Sequence, residues 1–136
     1  MSQPMTPDTP HDARRGVPKP WGWETLWTLT RRYAGRILHI RRGHQLALAY
    51  HREREESFLI RTGRVILVLE DARGQLCELW LGPGDAQHVP PGRLHRLIAL
   101  DDAEVVAVST PEIDDIERVD DERERPDRPG LQPSAY

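Results

Sequence analysis

With 136 residues, the chain is long enough for one domain with tails. A net charge of −3 gives no basic footprint for nucleic acid, and no apolar run approaches the roughly 20 residues of a membrane span. The single cysteine, Cys77, excludes an internal disulfide framework, and the N-terminus has no apolar signal region, so we expect a cytoplasmic protein without nucleic-acid or membrane partners.

The two ends of the chain differ in composition from its middle. Residues 1–16 are rich in Pro, Asp, Thr and Arg without periodicity, which predicts a disordered arm. Residues 119–136 are densely charged and predict a largely disordered tail. One ordered domain is therefore expected over residues 17–118.

Short apolar stretches alternate with turn signals throughout this middle part. In chain order they are WETLWTL, YAGRILHI, QLALAYH, SFLIRTG, RVILVLE, LCELWL, QHVP, HRLIAL and EVVAVST. Turns recur at a spacing of roughly 8–12 residues, and no stretch has a helical period, so the pattern predicts an all-β sandwich or barrel. WETLWTL is expected at a sheet edge, and an exposed edge favours pairing with a second copy, so we predict a homodimer.

Two strand–turn–strand units each carry a histidine just inside a turn. Gly43 to Gly63 contains His51 and Glu56, and Gly84 to His95 ends on the second histidine. If the two units face each other, they supply two imidazoles and one carboxylate, a set that suits a divalent transition metal with open coordination positions. We therefore predict His51, Glu56 and His95 as ligands of one ion, which can be Zn, Mn, Fe, Ni or Co.

These two stretches resemble the paired motifs of the cupin superfamily. The first motif, G-x5-H-x-H-x(3,4)-E-x6-G, is matched from Gly43 to Gly63 without a gap, with Ala49 in the first histidine slot. The second, G-x5-P-x-G-x2-H-x3-N, is matched from Gly84 to His95, with Ala99 in place of the usual Asn. The resemblance covers roughly residues 19–123 and implies a double-stranded β-helix, the cupin jelly-roll barrel, often as a dimer.

Within the cupins, the chain resembles the small barrel of type II mannose-6-phosphate isomerases more closely. The matching segments are Lys19-Pro20-Trp21-Gly22, then Leu48, His51, Arg54 and Glu56, then Gly84, Pro90, Gly92, His95 and Arg96, and finally Asp114-Asp115-Ile116-Glu117-Arg118. The resemblance implies a metal-dependent aldose–ketose isomerisation of a sugar phosphate. Ala49 stands in this family's glutamine ligand slot, which predicts three protein ligands and not four.

The implied isomerase chemistry needs a base and a phosphate site. His88 is the first candidate for the base, because its strand runs into the turn before the second metal histidine, and Glu53 is the second. Lys19, Arg54 and Arg118 are the candidates for holding the phosphate. A surface or core-rim histidine and a salt bridge within the turn are the alternative interpretations of His88 and Arg54.

Two other functions remain open from the sequence. One is a non-catalytic, metal-bound cupin that binds a sugar or another small molecule. The other is a small cupin dioxygenase, which requires a drier and more apolar pocket than a sugar phosphate does. The discriminating question is whether Lys19, Arg54 and Arg118 face the same cavity as the metal ligands.

Overall fold

The computed structural model describes residues 14–119, which form strands and connecting turns. The strands, in chain order, are β1 (Arg14–Lys19), β2 (Gly22–Leu29), β3 (Ala34–Ile40), β4 (Ala49–Tyr50), β5 (Glu56–Thr62), β6 (Val65–Glu70), β7 (Leu76–Leu81), β8 (Ala86–Val89), β9 (His95–Ala99), β10 (Ala103–Ser109) and β11 (Glu117–Arg118). The prediction of an all-β fold is confirmed over these residues. The described part contains no helix with the length and apolar character that a membrane span requires.

The strands form two antiparallel sheets. A six-stranded sheet has the order β1-β2-β3-β10-β5-β8, and a five-stranded sheet has the order β11-β4-β9-β6-β7. Strand β10 pairs with both β3 and β5, so strands that are far apart in the sequence become neighbours. This arrangement is the jelly-roll barrel that the strand pattern and the cupin resemblance predicted.

The core lies between the two sheets. Alternate residues of most strands point inward, whereas β6 is buried at all six positions from Val65 to Glu70. Burying one large aliphatic side chain, such as a leucine or valine of β6, stabilises the fold by about 1.5–3 kcal/mol. Leu38, Phe58 and Leu97 belong to this core and also line the cavity of the site described below. The packed core thus forms an apolar floor under the functional residues.

The N-terminal boundary differs from the prediction. Strand β1 begins at Arg14, inside the predicted arm of residues 1–16, because its backbone pairs antiparallel with β2 from Arg14↔Leu26 to Lys19↔Gly22. Strand β2, the WETLWTL stretch, therefore lies between β1 and β3, and the prediction that it is an edge strand is wrong. The rest of the arm, and the tail beyond residue 119, lie outside the described residues.

The predicted strand QLALAYH is mostly irregular. Only Ala49–Tyr50 forms a strand, β4, and the segment before it follows β9 through single contacts such as the isolated bridge between Gln45 and Ile98. Strand β11 pairs with the other side of β4 and ends the five-stranded sheet. The C-terminal segment therefore packs directly beside the strand that leads to His51.

Candidate metal centre

His51, Glu56 and His95 meet inside the barrel, although the chain separates the second histidine widely from the other two. The Nε2 atom of His51 lies 3.0 Å from Oε2 of Glu56, and Nε2 of His95 lies 3.6 Å from the same oxygen. One ligand atom from each residue falls within 4.8 Å of the others, and all three side chains are buried. Neighbouring ligands of one ion, each at about 2.1 Å from it, are expected about 3–3.5 Å apart, so the spacing suits a metal.

Both imidazoles are oriented for a metal by backbone carbonyls. Nδ1 of His51 donates to the carbonyl oxygen of Asp115 at 2.6 Å, and Nδ1 of His95 donates to that of Arg93 at 2.9 Å. Because a carbonyl only accepts, each ring must carry its proton on Nδ1. The Nε2 lone pairs are left facing Glu56, which is the arrangement that neutral metal-binding histidines require.

Glu56 is kept ionised by its surroundings. Burial raises the pKa of its carboxyl group, but the positive charges of Arg36 and Arg54 counter this, and the pKa lies well below its usual range. Nη2 of Arg36 donates to Oε1 at 2.7 Å. Since Arg36 occupies one oxygen and the other faces the two histidines, Glu56 offers a single oxygen to an ion.

A second guanidinium lies at the ligands themselves. Nη2 of Arg54 lies 2.8 Å from Nε2 of His51 and 3.9 Å from Oε2 of Glu56, while Nη1 donates to the carbonyl of Ile113 at 3.1 Å. Burial and the nearby Arg36 lower the pKa of Arg54, but an arginine stays charged in proteins. Burial also lowers the pKa of His51, although the negative charge of Glu56 opposes this, so the ring is neutral at neutral pH. Arg54 therefore donates to the lone pair that an ion would use.

The three ligands line a cavity of about 480 Å³. Its charged lining comprises five cations and three carboxylates: Lys19, Arg36, Arg54, Arg96 and Arg118, with Glu24, Glu56 and Asp114. The excess of positive charge in a partly enclosed space favours an anionic ligand. A bound divalent ion would add further positive charge.

The usual ligand slot at Ala49 holds only a methyl group. Ala49 pairs with His95 on one side and with Arg118 on the other, and all three residues line the cavity. Side chains directly opposite each other in antiparallel strands share a face, so Ala49 leaves space between the imidazole and the guanidinium. The candidate metal group in the described part of the chain thus has three protein ligands.

The structure brings together most of the predicted site residues. His51, Glu56 and His95 form the ligand group, and Lys19, Arg54 and Arg118 line the same cavity.

His88 and Glu53 are not brought to the cavity. His88 is exposed on β8, with Nε2 2.6 Å from Oε2 of Glu55, and Glu53 is exposed in the loop after His51. Their catalytic roles stay predictions, and neither side chain lines the cavity of the candidate metal group.

Three residues of the site were given no role by the sequence analysis: Arg36, Glu24 and Asp115. Arg36 lies at a buried position of β3 and bridges Glu56 to Glu24, whose Oε1 lies 3.5 Å from Nη1. A charged residue within the apolar stretch YAGRILHI was the signal that could have identified it. Nothing local could have identified the contact between Asp115 and His51, because 64 residues separate them.

The two-sheet barrel with a His/Glu/His group facing its cavity defines a cupin. Residues 7–121 match the family model described as the mannose-6-phosphate isomerase C-terminal domain. The chain belongs to this family. None of the curated proteins matches the chain significantly.

Several solved cupin structures share the fold. KdgF from Halomonas sp. is 24% identical, with a TM-score of 0.64 over 77% of this chain and 92% of that one. A variant of oxalate decarboxylase from Bacillus subtilis is 17% identical, with a TM-score of 0.69 over 83% of this chain and 35% of that one. An RmlC-like cupin from Shewanella frigidimarina is 15% identical, with a TM-score of 0.59 over 68% of this chain and 78% of that one. At these identities the likeness shows the fold alone, and the chain spans about a third of the decarboxylase.

Proposed function

We propose that this cupin binds one divalent transition metal through His51, Glu56 and His95 and isomerises a sugar phosphate between its aldose and ketose forms. The observation that carries the proposal is the cavity that the ligand group shares with Lys19 and Arg118. A metal and free cations in one cavity suit a substrate with sugar oxygens at one end and a phosphate at the other.

Lys19 and Arg118 are the cations available to an anion. Arg36 and Arg54 are buried and already bonded to the ligand group. In contrast, Lys19 and Arg118 are exposed at the ends of β1 and β11 and form no ion pair within residues 14–119. A guanidinium can hold two phosphate oxygens at once, and a lysine ammonium adds a mobile point charge.

The isomerisation needs a proton carrier inside the cavity. When bound, the ion acts as a Lewis acid toward the carbonyl and neighbouring hydroxyl oxygens of the sugar. We assign the proton transfer to Glu24, a partly exposed carboxylate of the cavity wall that Arg36 holds at 3.5 Å. Glu24 takes the proton from C2 and returns it to C1, while the hydroxyl proton passes from O2 to O1, so the product is an isomer of the substrate.

A non-catalytic, ligand-binding cupin is the second candidate. Two observations favour it: Ala49 supplies no ligand, and Arg54 donates to a lone pair that the metal needs. Both features weaken metal binding relative to a four-ligand site. The third alternative, a dioxygenase, is less favoured, because five cations line the cavity beside its apolar residues.

Metal content and turnover together test the proposal. Purified protein should contain about one transition-metal ion per chain by elemental analysis, and His51→Ala should lose it. A coupled assay with mannose 6-phosphate should show turnover that disappears on metal removal. Binding of mannose 6-phosphate without turnover would favour the non-catalytic cupin, and metal retained in His51→Ala would refute the site.

The phosphate site has a matched control within the chain. Lys19→Ala and Arg118→Ala should weaken the binding of mannose 6-phosphate, measured by calorimetry, and leave the weaker binding of mannose unchanged. Arg64→Ala is the control, because Arg64 is an exposed arginine that pairs with Asp101 and does not line the cavity. The Arg64→Ala variant should bind mannose 6-phosphate as tightly as the original protein does. Equal losses in all three variants would contradict a phosphate site at Lys19 and Arg118.

Homodimerisation and a cytoplasmic location stay predictions. We propose the outer face of the six-stranded sheet as the contact between two copies, since Trp27, Leu59 and Val108 are exposed there. Light scattering coupled to gel filtration measures the mass in solution, and a monomeric mass would contradict the dimer.

A further inference from the structure

One residue of the C-terminal segment holds the loop that begins with His51. Oδ1 of Asp115 accepts a hydrogen bond from the backbone N–H of Arg52 at 3.1 Å. Its Oδ2 accepts hydrogen bonds from the backbone N–H groups of Glu53 at 2.7 Å and Arg54 at 3.0 Å. Three successive amides therefore converge on one carboxylate, which fixes the path of the backbone between His51 and Glu56.

The same residue also fixes the imidazole. The backbone carbonyl of Asp115 accepts the Nδ1 proton of His51 at 2.6 Å. A ring that turned over would present Cε1–H to Glu56, and a ring that moved its proton to Nε2 would present an N–H. Neither ring would offer an ion the lone pair that it needs there. The side chain of Asp115 positions the loop, and its carbonyl sets the ring.

The other histidine offers an internal comparison. His95 donates its Nδ1 proton to the carbonyl of Arg93, only two residues before it in the chain. Its orientation is therefore set locally and needs no contact with the C-terminal segment. A change at Asp115 should affect His51 and leave His95 as it is.

We propose that Asp115 is a positioning residue that sets the orientation and the tautomer of His51 for the metal. The inference rests on the metal site of the proposed function, and Asp115 itself contacts neither the ion nor the substrate. It links the Asp114–Arg118 segment, 64 residues further along the chain, to the strength of metal binding.

Two variants and one control separate positioning from general stability. Asp115→Ala removes all three amide contacts, whereas Asp115→Asn keeps one acceptor oxygen. Both variants keep the backbone carbonyl of residue 115, so they test whether the side chain holds that carbonyl in place. Asp71→Ala is the control, because Oδ1 of Asp71 accepts from the N–H groups of Arg73 and Gln75 in a hairpin that does not line the cavity. It loses a similar turn contact at a place remote from the ligands.

The first measurement uses the metal-free full chain. Long-range proton–nitrogen NMR should report the Nδ1–H tautomer for both His51 and His95 in the original protein. In Asp115→Ala, His51 should become a mixture of tautomers while His95 keeps its signals. In Asp71→Ala neither ring should change.

The second measurement is a titration with Co²⁺ followed by visible absorption. Asp115→Ala should bind Co²⁺ about 10–100-fold more weakly, the usual effect of removing a partner that orients a ligand. Asp115→Asn should show a smaller loss, and Asp71→Ala none.

A folded Asp115→Ala with an unchanged His51 tautomer and unchanged Co²⁺ affinity would overturn the inference. If Asp115→Ala does not fold, Asp115→Asn decides in the same way: a partial shift of the His51 signals supports the role, and unchanged signals and affinity overturn it. If the original protein binds no Co²⁺, the proposed metal site fails, while the tautomer comparison still decides whether Asp115 orients His51.

Discussion

Replacing Arg54 by methionine should strengthen metal binding. Nη2 of Arg54 lies 2.8 Å from Nε2 of His51 and donates to its lone pair. One lone pair cannot serve both partners, so an ion must displace this bond and then lie beside a buried cation. Methionine fills a similar volume but donates no hydrogen bond and carries no charge.

The size of the effect follows from the bond that is lost. A hydrogen bond with one charged partner contributes about 1.5–3 kcal/mol, which corresponds to about a 10–150-fold lower Kd for the ion in Arg54→Met. Glu56 should remain ionised, because Arg36 still donates to it at 2.7 Å. The carbonyl of Ile113 loses its partner, which lowers the free energy of unfolding by about 1–3 kcal/mol.

The assay is a competition titration with Zn²⁺ or Co²⁺ on folded, metal-free protein. Arg52→Met is the matched control, because Arg52 belongs to the same loop but is exposed and bonds to Glu117 and Tyr50. Its Kd should equal that of the original protein. Unchanged or weaker metal binding in Arg54→Met would refute the competition and would make Arg54 a supporting part of the loaded site.

The remaining predictions concern the turns, the pH dependence and the base. Gly63 and Gly43 both have φ +79°, so alanine costs about 1–2 kcal/mol of strain at either position. Only at Gly63 would the new Cβ also collide with backbone, so Gly63→Ala should be the less stable variant. Equal urea midpoints for the two variants would contradict this. Folding lowers the pKa of His51 from its ordinary value of 6.5, so at mildly acidic pH the unfolded chain binds more protons than the folded one. The metal-free protein should therefore lose stability as the pH falls below 6.5. Urea unfolding at neutral and at mildly acidic pH measures this loss. Glu24→Gln should lower turnover about 10²–10⁴-fold with metal content unchanged; if His88→Ala does so instead, the sequence-based choice of base was right.

The sequence by itself predicted the all-β class and the three members of the candidate metal group. Alternating apolar residues and regular turn signals are local properties, and they predict strands wherever a packed core can absorb one face. His51 and Glu56 are five residues apart across one turn, and His95 follows a Pro-Pro-Gly turn, so each ligand is placed by its own short stretch. The glycines at fixed distances from these residues also indicated that the two stretches belong to one site.

Only the tertiary structure decided where the charged residues lie. His88 pairs opposite Ser57, between two inward-facing positions of β8, so alternation turns it to solvent and not to the cavity. Strand β1 exists because β2 offers its backbone edge.

The contacts that orient and charge the candidate metal group also depend on the tertiary structure. Arg36 reaches Glu56 across 20 residues of chain, and Asp115 reaches His51 across 64. Hydrogen bonds act over about 3 Å, and no local pattern records which distant residue the folded chain will bring within that distance.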